Sequence, residues 1–200
     1  MRTHAERPYH HGNLRTALLE CAEQTLSLRG VRELSLRELA REVGVSHGAP
    51  RRHFADKQAL LDALAEDGFE RLGRALQDSS DGAGDSFDER FAAFARAYVA
   101  FATQHAALLE LMFAGKHRAG ATDSLREAAD RAFAMPISLI LEAQAAGEVV
   151  PGEPERVTTI AFAALHGMAT LINAGMLDRA ALDDLLADGV ERLLVGLRPR

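Results

Sequence analysis

Ser35-Leu-Arg-Glu-Leu-Ala-Arg-Glu-Val-Gly44-Val-Ser46-His-Gly-Ala-Pro50-Arg-Arg-His-Phe54 is the stretch on which the reading of this 200-residue chain turns. Leu36, Leu39, Ala40 and Val43 recur at three-and-four spacing, one face of a short helix. The Ser35 hydroxyl stands where it can accept a first-turn amide, with Glu38 as its capping-box partner. Gly44 ends that helix because its backbone enters the left-handed region without a steric cost. Ser46 is placed to cap again and to open a third short helix running to Phe54. Two short helices across a glycine turn form a helix-turn-helix pattern, in which Ala40 permits close approach and Val45 fills the corner. His47, Arg51, Arg52 and His53 would then line a helix thin enough for a DNA major groove, where arginine reads guanine edges and arginine or histidine grips phosphates. Lys57 adds charge at the start of the next helix. The same residues also fit an exposed helix pair with solvated arginines. Pro50 falls late in the first turn after Ser46, where it tightens or distorts that turn.

Outward from this stretch the chain reads as helix almost throughout. Its 65 Ala plus Leu outnumber its 21 Val, Ile and Thr threefold. Leu14, Ala17, Leu18, Cys21, Ala22, Thr25 and Leu28 predict a first helix from Asn13 to Leu28, stopped by Gly30. A fourth helix is expected from Lys57 to about Gln77. Ser79 to Asp85, a polar Gly-containing run, is the clearest break and boundary candidate. Beyond it Phe87, Phe91, Phe94, Tyr98, Phe101 and His105 step along one face, and a bend separates them from Leu108 to Phe113. Further helices are expected from about Asp123 to Ala146 with Pro136 inside, from Glu155 to Ala174, and from Arg179 to Gly196 behind an Asp178 cap. The expected class is all-α, about nine helices.

Charge divides the chain more sharply than its net −6 suggests. Residues 1–60 hold 10 Lys/Arg against 7 Asp/Glu, and the remaining 140 hold 13 against 22, so the parts carry +3 and −9. The small N-terminal part suits a polyanion and the larger part repels one. A lone Cys21 excludes a disulfide framework and a multi-cysteine zinc site. No apolar leader and no spanning segment is read, so the cytoplasm is the expected compartment and no membrane partner is expected.

The run Leu36 to Ala49, closing with Arg52-His53-Phe54 and Lys57, resembles the TetR/AcrR-type transcriptional regulators over roughly residues 9–65. Tyr9-His-His-Gly-Asn-Leu-Arg15 is similar to the opening of one subgroup, and Ala164-Leu-His-Gly167 resembles its Trp-His-Gly signature with Leu165 in place of tryptophan. The family commonly has an aromatic where this chain has Arg51, which can meet a phosphate with full charge or reach a base. The resemblance implies a helix-turn-helix DNA-binding domain at 1–58, linked by helix 57–77 to an effector-binding and dimerisation domain at 59–200. The implied partners are double-stranded DNA bearing a palindromic operator, a second copy of the chain, and an unidentified small, largely apolar effector whose binding releases a repressor from DNA. No cofactor is implied. Candidate DNA contacts are Ser35, Arg37, Ser46, His47, Gly48, Ala49, Arg51, Arg52, His53 and Lys57, with His10 and His11 on an arm near the backbone or in a frayed terminus.

Enzyme signals are weak. Gly44-Val-Ser46-His-Gly48 matches a nucleophile-elbow pattern, but a helix precedes it where that turn needs a strand. His105, His117 and His166 could converge on a metal, making a helical-bundle sensor one alternative, and a ligand-independent DNA-binding dimer is another. An apolar effector pocket is expected around Phe91, Phe94, Tyr98, Phe101, His105, Met112, Phe113, Phe133 and His166, against the alternative of a fully packed core. The last two helices are apolar on more than one face. Ile160, Ala161, Ala164, Leu165, Met168, Leu186, Val190, Leu193 and Leu194 are the candidate dimer surface.

Overall fold

A computed structural model describes residues 14–199, and among them the regular structure is entirely helical. The expectations for His10 and His11 lie outside the described residues. Eight α-helices run α1 Leu14–Arg29, α2 Leu36–Val43, α3 Lys57–Asp81, α4 Phe87–Gln104, α5 Ala106–Lys116, α6 Asp123–Ala145, α7 Pro154–Asn173 and α8 Leu182–Leu197. Short 3-10 turns occur at Val31–Glu33, Pro50–Arg52 and Arg179–Ala181. Two compact units divide between Leu64 and Ala65, inside α3. The sequence places its best break at Ser79 to Asp85; instead α3 continues through Ser79, whose hydroxyl bonds the Leu76 carbonyl at 2.7 Å, and through Gln77, whose amide donates to Asp81 at 2.8 Å.

In the first unit α1 buries Leu14, Leu18, Leu19, Ala22, Thr25 and Leu26. Leu28, expected on that face, is 80% exposed. Ser35 accepts the Glu38 amide at 3.1 Å and so starts α2. At the other end Gly44, with φ +80°, directs its own amide to the Arg41 carbonyl and the Val45 amide to that of Ala40, a Schellman closure. Leu39 and Ala40 are buried and Leu36 is only half-buried. Cys21 joins α1 to α2 by donating its thiol to Glu42 at 3.1 Å. Burial, reinforced by that carboxylate, pushes the thiol up to about 11.

The second unit is arranged around α4, which packs on α5, α6, α7 and α8. The Ser86/Glu89 capping box starts α4. Phe87, Phe91, Phe94, Tyr98 and Phe101 are all buried along it, each worth roughly 1.5–3 kcal/mol on transfer from water. This explains why α4 and α5, bent by 100°, are so apolar; no single described helix is long and apolar enough to cross a membrane. Asn173 on α7 donates to the Ala102 carbonyl at 3.0 Å, and Val150 donates to the Leu197 carbonyl at 2.8 Å, which fixes the α6–α7 connector to α8. Gly73 of α3 faces Ala132 of α6, and a Cβ there would stand 3.2 Å from the Ala132 Cα, a backbone atom that cannot step aside.

Two outcomes are expected. Gly73→Val should force α3 from α6 and lower stability in urea by about 1–3 kcal/mol, whereas no loss would mean that the crossing is loose. Because Cys21 is held neutral, its contribution to stability is full below the ordinary thiol value of 9.0 and fades as pH rises towards 11. Glu42→Gln should speed its alkylation at pH 8; an unchanged rate would remove the carboxylate as a cause.

Candidate functional site

The first candidate site is the surface that follows Gly44. Ser46 does not open an α-helix. Its carbonyl accepts the Ala49 amide at 2.9 Å, and a 3-10 turn follows at Pro50–Arg52, closed by His53 and Phe54 amides on the Pro50 carbonyl at 2.9 Å each. Pro50 is the reason. An α-helix would need an N–H at position 50 to reach the Ser46 carbonyl, and proline has none. The expected rod from Ser46 to Phe54 is thus corrected to a turn and one tight helical turn.

That turn is fixed at both ends, because Pro50 and Phe54 are buried. Between and before them Ser46, His47, Gly48, Arg51, Arg52 and His53 are exposed, and Ala49 is half-buried. Arg15 sits over the Phe54 ring, 5.8 Å from its centroid. Arg37, on α2, is exposed as well. Arg37, Arg51 and Arg52 form no ion pair among the described residues. Ser35 and Lys57 are already engaged, the first as the α2 cap and the second donating to the Arg32 carbonyl at 3.1 Å. In short, the local fold gathers cations without neutralising them, an arrangement suited to phosphates.

The second candidate site is a cavity of about 720 Å³ between α5, α6 and α7. Phe113, Phe133, Phe162 and His166 are the rings of its wall, with Ile137 beside them. Phe133 meets Phe162 edge-on at 5.1 Å, Phe162 stacks with His166 at 5.5 Å, and Phe113 meets His166 edge-on at 5.4 Å. Lys116 holds its ammonium 5.4 Å from the Phe133 centroid. His117, Asp130, Glu155, Thr158 and Thr159 complete the lining. Behind the wall, the Tyr98 hydroxyl lies 2.8 Å from His166 Nδ1, and burial pushes the phenol well above its ordinary value.

Of the expected pocket residues only Phe113, Phe133 and His166 line this cavity. Phe91, Phe94, Phe101 and Met112 are in the packed core, and Tyr98 stands behind the cavity wall, touching it through His166 and Phe162. His105 turns to Arg71 instead, with Nη2 3.3 Å from Nδ1. The sequence reading overlooked Phe162, although Glu155, Thr159, Phe162 and His166 share one helical face, a signal available in their spacing. Among the described residues no group of three or more His, Cys, Asp or Glu could hold a metal ion.

On α7 and α8 the candidate dimer residues separate into two sets. Ala161, Leu165, Leu186 and Val190 are buried within their own chain and turn little surface outward. The cause is the apolar composition of both helices: one face serves the core. Ile160 is 64% exposed and Ala164 is exposed, whereas Met168, Leu193 and Leu194 are half-buried. Leu171 and Val195, at 39% and 70%, extend the outer face.

Comparison with known proteins agrees with this architecture. Residues 18–64 match the model for bacterial regulatory proteins of the tetR family, and residues 91–197 match that for the tetracyclin repressor-like C-terminal domain. No curated protein matches. A structure from Rhodococcus sp. RHA1, described as a protein with unknown function, is 49% identical with a TM-score of 0.90, over 97% of this chain and 100% of that one. A TetR family transcription regulator from Marinobacter aquaeolei VT8 shares the fold at 16% identity and a TM-score of 0.78, over 94% of this chain and 97% of that one. The fatty acid degradation regulator FadR from Bacillus halodurans shares it at 16% and 0.73, over 92% and 99%. The chain belongs to the TetR family, whose members are DNA-binding transcription regulators and not enzymes.

Proposed function

We propose that this protein is a repressor that binds a palindromic operator as a homodimer in the cytoplasm and leaves it when a small ligand enters the α5–α6–α7 cavity. The observation that carries the reading is the cluster Arg51, Arg52 and His53, exposed on a turn anchored by Pro50 and Phe54, with both arginines unpaired among the described residues. Residues 1–58 are the DNA-reading part, and Arg37, Ser46, His47, Gly48, Ala49, Arg51, Arg52 and His53 its contact surface. Ser35 and Lys57 act there through their backbone bonds, by holding α2 and the linker before it. The 59–200 part takes the effector and pairs two chains.

Pairing has a mechanical purpose. One short turn touches few bases, and two such turns about 34 Å apart, or a multiple of that, add their energies on a palindrome. The outer stripe Ile160, Ala164, Gly167 and Leu171 repeats at four, three and four, and a Cβ added at Gly167 meets nothing within 4 Å. Together with Met168, Leu193, Leu194 and Val195 it is an apolar face open to a copy of itself. A ligand that changes the separation of the two reading turns then loosens both half-sites together.

Footprinting on the DNA flanking the coding region supplies the operator. On that operator Arg52→Ala should weaken binding and reduce the slope of log K against log salt by about 0.9, the value of one lost phosphate contact. An unchanged slope for both Arg51→Ala and Arg52→Ala would refute phosphate contact by this turn. Ile160→Glu should convert the protein to a monomer in sedimentation and weaken operator binding with it; a persistent dimer would place the interface elsewhere.

A further inference from the structure

The polarity of the cavity can be worked out from one buried hydroxyl. Tyr98 has no exposed surface, and its hydroxyl has His166 Nδ1 as hydrogen-bond partner at 2.8 Å. A buried hydroxyl proton without an acceptor costs about 1–3 kcal/mol, so the arrangement that satisfies it has the Tyr98 O–H donating to Nδ1. The neutral imidazole then carries its own proton on Nε2. His166 is one of the cavity's lining residues, so it offers that cavity an N–H donor and no acceptor.

Lys116 supplies a second donor. It is half-buried, its ammonium rests on the Phe133 ring, and it has no carboxylate partner among the described residues. The lining carboxylates, Asp130 and Glu155, are both exposed, and Glu155 stands in the first turn of α7, where the helix end already offsets its charge. His117 is exposed too, and Thr158 and Thr159 give their hydroxyl protons to the Pro154 and Glu155 carbonyls at 2.7 Å each. Thus Lys116 and His166 donate beside the rings, both lining carboxylates stand in solvent, and the buried Thr158 hydroxyl oxygen is an uncharged acceptor.

We propose that the cavity is selective for a planar aromatic carboxylate, with its ring among Phe113, Phe133 and Phe162 and its carboxylate received by the Lys116 ammonium and the His166 Nε2–H. This rests on the reading of the cavity as the effector site and names the chemistry it selects. Edge-to-face rings favour a flat π-system over an alkyl chain. A charge-assisted pair of donors within an apolar wall favours an anion over its neutral isostere. Tyr98 is a positioning residue, since it fixes which nitrogen of His166 holds the proton.

The test uses three probes with one ring system: naphthalene-2-carboxylate, the neutral 2-naphthamide and the cationic 2-naphthylmethylammonium. Each is titrated calorimetrically into the full-length protein. The carboxylate should bind about tenfold tighter than the amide, the order expected for one charge-assisted contact, and the cation weakest. Lys116→Gln should abolish the preference for the carboxylate over the amide. Side-chain nitrogen NMR of His166 should find the proton on Nε2 in the unliganded protein, and Tyr98→Phe should release that tautomer and weaken the carboxylate severalfold. Amide or cation binding as tightly as carboxylate, a preference that survives Lys116→Gln, or a proton on Nδ1 would overturn the proposal while leaving the cavity a small-molecule site. Absence of binding by all three probes would overturn the effector-site reading along with it.

Discussion

A phenol with no exposed surface has to find an acceptor, and in this protein the demand of Tyr98 organises the second unit. Tyr98 lies midway along α4, the helix on which α5, α6, α7 and α8 all pack. Its ring meets Phe162 edge-on at 5.0 Å, and its hydroxyl reaches His166 one turn further along α7. One core side chain therefore sets the attitude of two rings in the cavity wall. Because burial raises the phenol's pKa, that hydroxyl stays protonated, and a donor, through the physiological range. The cavity's polarity is in this sense a consequence of core packing, transmitted through a single hydrogen bond.

In the DNA-reading part the comparable constraint is a missing donor. Without an N–H at Pro50 the chain winds at about three residues per turn. Pro50 and Phe54 are the buried residues of this segment, which leaves Arg51, Arg52 and His53 between them as an exposed fan. The buried ends, Pro50 and Phe54, keep the fan in place, and the Schellman closure at Gly44 fixes where it begins.

Much of this was legible in sequence, for identifiable reasons. Ser35 and Gly44 mark the ends of α2 because capping and left-handed backbone are local chemistry, decided within a few residues. The aromatic face of α4 is legible because five rings at helical spacing have no other place to go. Pro50 was visible as a perturbation, but whether it distorts an α-turn or replaces it depends on the sum of neighbouring hydrogen bonds. The α7 faces could not be separated, since Leu165 and Ile160 are equally apolar and only the packing of α4 and α8 decides which is buried. For the same reason the pocket expected from sequence lies closer to α4 than the cavity does. Residues such as Phe91 and Phe94 read the same whether they line a hollow or fill one, and the volume left open is a property of three helices together.

Charge distribution connects the two sites. A net charge of −6 argues against DNA binding if taken as a sum, yet screening at physiological salt extends only about 8 Å, so a phosphate responds to the side chains near it. The surplus of +3 over residues 1–60 is what such a phosphate meets, and the −9 of the remainder discourages binding in any other orientation. That acidic remainder sets a condition on the effector too. Cations will gather on it without discrimination, and an anion will enter only where a local positive charge is held against the prevailing field. Lys116, stacked on Phe133 and set back from solvent, meets that condition at the cavity wall. On the proposed reading the acidic exterior holds organic cations outside, and the rings, the ammonium and the histidine that Tyr98 holds in place select an anion within.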